Sequence, residues 1–95
     1  MDFESFAESM KQQGFDQIVK RVWKPGTTVA EHTHPFDAKA VVVQGEMWLT
    51  VSGRTDHLLP GGTSELAAHL PHSERYGAEG ATYWVARRHV AGAKR

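Results

Sequence analysis

The sequence predicts an all-β domain, a small antiparallel sandwich or barrel preceded by one short helix. Two observations carry that prediction. The apolar runs after residue 16 are each short enough to be one strand and are separated by turn residues. Only the first segment shows helical spacing. A third observation sets the scale: 95 residues suffice for one hydrophobic core and are too few for two, so residues 1–95 read as a single domain.

In the first segment Phe3, Phe6, Ala7 and Met10 recur at helical intervals and Gly14 follows as a C-cap residue, which predicts a helix over about residues 2–13. From Asp16 the pattern changes. Ile18, Val19, Val22 and Trp23 lead into Lys24-Pro25-Gly26, a turn in which Pro25 fixes φ and Gly26 permits a positive one. Ala38–Val43, Met47–Val51, His57–Leu59, Glu65–Ala67 and Thr82–Ala86 are strand-length. Gln44-Gly45-Glu46, Ser52-Gly53-Arg54, Pro60-Gly61-Gly62 and Gly77–Gly80 read as the turns between them. The barrel then covers about residues 16–88, and His89 to Arg95 reads as a frayed tail. Met47, Leu49 and Val51 alternate with Trp48 and Thr50, so one apolar face points inward and Trp48 lies on the other.

Composition narrows the chemistry. Eleven basic residues balance 11 acidic ones, which argues against a nucleic-acid partner. Without cysteine, the chain has no disulfides, thiolate nucleophiles or iron–sulfur clusters, and any metal must be held by histidine and carboxylate. The longest apolar run, Ala40–Val43, falls far short of the roughly 20 residues that span a bilayer, and the start Met1-Asp2-Phe3-Glu4 is acidic. The expectation is a cytoplasmic protein with no membrane partner. No phosphate loop, nucleotide fingerprint or Ser-His-Asp set is present.

The informative stretch runs from Gly26 to Asp37. Residues two apart on a strand share a face, so His32 and His34 place both imidazoles on one side, within bridging distance of one ion. By itself the pair equally describes two solvated histidines at a strand edge. A second stretch, Pro60 to His72, combines a Gly-rich turn, a short strand and a Pro-His at the following turn.

Together these stretches resemble the two motifs of the cupin superfamily. The first motif is Gly, five residues, His-x-His, three or four residues, Glu, six residues, Gly, and Gly26, His32, His34 and Gly45 fall at its offsets; Gly61, Leu66, Pro71 and His72 match the looser second motif. The likeness spans Pro25 to about Arg87.

The resemblance implies a jelly-roll β-barrel holding one divalent transition metal, whether iron, manganese, nickel, zinc or copper, through His32, His34 and His72. The family's glutamate falls on Ala38, which cannot ligate. Asp37, one residue earlier, is a possible fourth ligand only if the loop shifts, because on a regular strand it faces away. Three readings stay open. A three-histidine site with free positions suits a metal-dependent dioxygenase; loss of the carboxylate equally suits a non-catalytic small-molecule binding or sensory barrel; and an isomerase or lyase needs Glu74 as an inward base. Three neutral ligands leave the full charge of a divalent ion, which favours a small oxygen-bearing ligand.

Strand parity supplies the pocket. If His72 points inward, Glu74 and Tyr76 share its side, where Glu74 orients a ligand histidine or acts as a general base; the alternative is a surface Glu74–Arg75 pair. Ala38, Ala40 and Val42 leave room, and Met47 and Leu49 form an apolar floor. His57 and His89 read as solvated and His69 as outside the site. Trp48 on the outer face, with open sheet edges and the dimers common among cupins, predicts a homodimer.

Overall fold

The computed structural model describes residues 2–89; of the tail expected over His89 to Arg95, His89 belongs to the last strand, paired with Phe36, and residues 90–95 lie outside the described residues. One helix, α1 (Phe3–Gln12), precedes six strands: β1 (Gln17–Trp23), β2 (Thr28–His32), β3 (Phe36–Val51), β4 (Arg54–Leu58), β5 (Thr63–Leu66) and β6 (His72–His89). All pairings are antiparallel. The long strands β3 and β6 pair along their length and form the spine; β1 and β2 add to the far edge of β6, and β4 and β5 to the far edge of β3. Among the described residues no helix is long and apolar enough to cross a membrane.

The helix is specified locally. Asp2 caps it, accepting from the Ser5 N–H at 2.7 Å, while Glu4 in the first turn and Lys11 in the last complement the helix dipole. Its apolar stripe buries Phe6 and Met10.

Two expected turns prove not to be turns. Gln44-Gly45-Glu46 lies inside β3 and Gly77–Gly80 inside β6, and the chain there makes bulges with register shifts at Val42/Gln44 and Gly45/Met47. Gly45 (φ +77°) and Gly80 (φ +74°) cross so closely that a Cβ on Gly45 would run into the Gly80 carbonyl oxygen. Glycine therefore marks a bend within a strand, not an end. The bulges also switch which side chains face inward. Phe36, Ala38 and Ala40 face the interior before the bulge on β3, and Met47 and Leu49 after it; on β6 the inward set passes from His72, Glu74 and Tyr76 to Ala81, Tyr83, Val85 and Arg87.

The β3–β6 pair is thus buried on both faces. Outside, α1 covers a core of Phe6, Met10, Phe15, Val41 and Ala86, with Ile18, Val43 and Trp84 packed against it; Phe3 and Phe6 lie against Trp84 with ring centroids 5.4 and 5.8 Å away. Inside, Val42, Met47, Leu49, Tyr76 and Ala81 form a second core, with Trp23 stacked on Tyr76 at 4.9 Å. The outward Trp48 is flanked within the chain by its cross-strand neighbours, stacked on His57 at 4.5 Å and covered by the Arg75 guanidinium at 4.0 Å.

Candidate metal centre

His32 closes β2, His34 follows in the loop before β3, and His72 opens β6, where it pairs directly with His32. The three imidazoles converge, with centroids 4.3 Å apart for His32 and His72, 4.7 Å for His32 and His34, and 5.2 Å for His34 and His72. One nitrogen from each lies within 4.8 Å of the others. Nitrogens bound tetrahedrally at about 2.1 Å to one ion stand roughly 3.4 Å apart, so the longest separation must close by up to about 1.4 Å for the three to share it.

Backbone carbonyls fix which nitrogen faces inward. His32 Nδ1 lies 2.8 Å from the Ala30 carbonyl oxygen and His72 Nδ1 3.0 Å from that of Leu70. A carbonyl only accepts, so each Nδ1 carries the hydrogen, and in the neutral rings Nε2 presents a lone pair. Those Nε2 atoms point at Glu74, whose Oε2 is 3.6 Å from His32 and 3.4 Å from His72. Lone pairs turned toward a carboxylate repel one another unless a proton or cation lies between them. The donor set therefore fits a divalent ion.

Among the described residues Glu74 and His72 are the buried charged or polar ones, at 8% and 2% exposure. Glu74 Oε1 accepts a hydrogen bond from the Tyr76 hydroxyl, which leaves Oε2 for the histidines. Burial, Tyr83 and the Glu74 carboxylate push the Tyr76 pKa far above its ordinary value, so this phenol stays a donor. Tyr83 is likewise raised, by burial and by Glu74. The His34 ring stacks on Phe36 at 4.8 Å, and burial together with the nearby His32 and His72 holds its pKa below the usual histidine value.

A cavity of about 50 Å³ adjoins the cluster, walled by His34, His72 and Glu74, floored by Met47 and Leu49, and flanked by Phe36, Ala38, Ala40, Tyr83 and Arg87. Ala38, Ala40, Met47 and Leu49 stand where strand alternation puts them. Val42 and Tyr76 do not line the cavity: both lie beneath it in the inner core, each 1% exposed. Val42 keeps the inward parity of Ala38 and Ala40, opposite Tyr83, but lies further along the strand, where the inner core closes over it.

Asp37 is not with the histidines. Its Oδ1 accepts from the Ala68 N–H at 2.8 Å and its Oδ2 meets Arg88 at 3.3 Å, since β3 is regular at this point and residue 37 faces away from residues 36 and 38. Nor does Glu74 form a surface pair with Arg75, which covers Trp48 instead. His57 and His89, expected to be solvated, are paired, with Glu46 at 2.7 Å and Asp16 at 2.9 Å. His69 is exposed, and its N–H donates to the His34 carbonyl at 2.7 Å, tying the two loops that carry the ligands. Phe36 follows the parity of Ala38 and Ala40, whereas the cavity contributions of Tyr83 and Arg87 were not legible in sequence, because the parity of the second half of β6 depends on the bulge.

Neither the protein-family models nor the curated protein sequences contain a match to this chain. Solved structures do. An RmlC-like cupin from Shewanella frigidimarina superposes with a TM-score of 0.68 at 20% identity, over 84% of this chain and 72% of that one. The Cupin_2 domain of an XRE family transcriptional regulator from Enterobacter cloacae gives a TM-score of 0.68 at 20% identity, over 84% and 86%. The fold is that of the cupins. A structure from work on DMSP lyases matches with a TM-score of 0.72 at 24% identity over 82% of this chain, which spans 40% of that one's length. The three histidines stand together, Ala38 on β3 offers no ligand, and the carboxylate beside them, Glu74, comes from β6.

Proposed function

We propose that this cupin domain binds one divalent transition metal through His32, His34 and His72, with Glu74 as the fourth ligand, and takes a small oxygen-bearing organic ligand into the adjoining cavity. The observation that supports this most is the convergence of the carbonyl-locked His32 and His72 rings on the same carboxylate oxygen. Three neutral imidazoles and one carboxylate reduce a divalent charge to one net positive charge, which still attracts an anionic oxygen donor.

When bound, the ion supplies Lewis-acid chemistry or, as iron, access to O₂. The remaining tasks fall to the chain. Tyr76 holds Glu74 in place through its hydroxyl. Met47, Leu49 and Leu66 keep the wall apolar, while Ala38 and Ala40 leave space for the ligand. Dioxygenation is the first reading, because four protein ligands leave positions for both an organic ligand and O₂. A lyase reading is favoured by Tyr83, whose side chain lines the cavity as a neutral phenol able to donate a proton, and by the DMSP lyase likeness.

Elemental analysis of the purified protein beside His72→Ala tests the metal. The expected result is near one equivalent of a transition metal in the parent protein and almost none in the variant, with unchanged circular dichroism. No metal in either, even after incubation with iron, manganese, nickel and zinc, would leave a binding barrel without a metal. An anaerobically iron-loaded protein that consumes no O₂ with diketones, thiols or catechols would remove the dioxygenase reading.

A further inference from the structure

Adjacent arginines near the end of β6 have opposite surroundings. Arg88 faces outward and is fully engaged: it pairs with Asp37 at 3.3 Å, donates to the Gln13 carbonyl at 3.2 Å and lies 4.7 Å over the Phe15 ring. Arg87 faces the cavity. Among the described residues it makes no ion pair, and residues 90–95 contain no acidic side chain. Its Nε is buried without a hydrogen-bond partner, and one Nη donates to Gln17 at 3.3 Å. A half-buried guanidinium with an idle donor and no counter-charge is costly unless something else supplies the acceptor.

The position of Arg87 says what that acceptor is. Its guanidinium carbon lies 4.9 Å from the Phe36 centroid, and the same ring stacks 4.8 Å from His34. Guanidinium and histidine cluster therefore face one cavity across a single aromatic ring. Its wall carries one carboxylate, Glu74, which is already committed to Tyr76 and the histidines. Its cross-strand partner Ala38, which also lines the cavity, is a residue without bulk.

We propose that Arg87 is the anchor for a carboxylate of the ligand, so that the site selects a small organic acid with a second oxygen donor two to four bonds away that reaches the histidine cluster. A guanidinium fork matches the two oxygens of a carboxylate, and the small cavity favours short acids over phosphorylated ones. Phe36 and Gln17 would hold the fork in plane. This inference rests on the cavity being a ligand site, but it can fail independently of the metal.

The test is calorimetric titration with malonate and succinate, and with methyl malonate diester and inorganic phosphate as controls, on the metal-free and nickel-loaded protein, on Arg87→Met and on Arg87→Lys. The expected result is that Arg87→Met weakens malonate or succinate binding at least tenfold while nickel binding is unchanged, that Arg87→Lys loses less, and that the diester binds weakly to all. Nickel binding with equal malonate affinity in parent and Arg87→Met overturns the inference and leaves the metal reading intact. Carboxylate binding that depends on Arg87 without any nickel binding keeps the inference and removes the metal. Phosphate bound more tightly than either acid, or no acid bound by any protein, overturns it. Should Arg87→Met not fold, Arg87→Lys decides, with a loss of at least threefold expected and equal affinity overturning.

Discussion

The two faces of the β3–β6 pair are built from the same strands to opposite ends. On the outer face α1 seals Val41, Ala86 and Trp84 under Phe6 and Met10, and the buried members of that core are all apolar. On the inner face a comparable apolar floor of Val42, Met47, Leu49 and Tyr76 supports His72 and Glu74, the buried polar pair, beneath an open cavity. The outer face buries apolar surface with no polar desolvation, whereas the inner face holds mutually repelling donors that a cation would relieve. Stability and chemistry are therefore separated by the thickness of one sheet, and a substitution should disturb one more than the other.

The sharpest way to break that comparison is Phe6→Ala. It opens a cavity under α1 and should cost about 3–5 kcal/mol, read as a fall in the urea midpoint, while the folded fraction keeps its metal stoichiometry. Lost stoichiometry in the folded fraction would mean that the two faces are coupled. Glu74→Gln should do the reverse, weakening metal binding by at least about tenfold in a competition assay with little change in the urea midpoint of the metal-free protein. Unchanged metal affinity would return Glu74 to the role of base.

A smaller effect comes from His34. Its folded-state pKa is depressed, so between that value and the ordinary value of about 6.5 the unfolded chain binds more protons and stability rises with pH. The metal-free protein should therefore lose stability as pH falls below about 6.5, and His34→Gln should show a shallower loss in urea midpoints measured at pH 7.5 and 5.5. Parallel slopes would show that His34 is not the group responsible. Smallest of all, Asp37→Asn removes an exposed pair with Arg88 worth less than about 1 kcal/mol, and it should leave metal content unchanged. A fall in metal content would place Asp37 at the site after all.

What could be read from the sequence follows the range of each signal. The helix was legible in Phe3, Phe6, Met10 and Gly14 because spacing and capping act within a few residues. His32 and His34 were legible as a pair because alternation along a strand is local, and His72 joined them through a motif likeness. Glycines at 45 and 80 were misread as turn ends, since a positive φ serves a bulge as well as a turn and only the crossing partner tells them apart.

The sequence by itself determined an all-β chain with one amphipathic helix, no thiol chemistry, and histidines spaced to share a face. Tertiary structure decided the rest. Pairing β2 with β6 set His32 against His72 and turned Glu74 toward both, although its sequence position says only that it follows His72 by two. The bulges at Gly45 and Gly80 reversed the alternation and brought Tyr83 and Arg87 to the cavity. The physical reason is that alternation propagates along a strand only until a residue is inserted, and where an insertion is absorbed depends on the strand across the sheet.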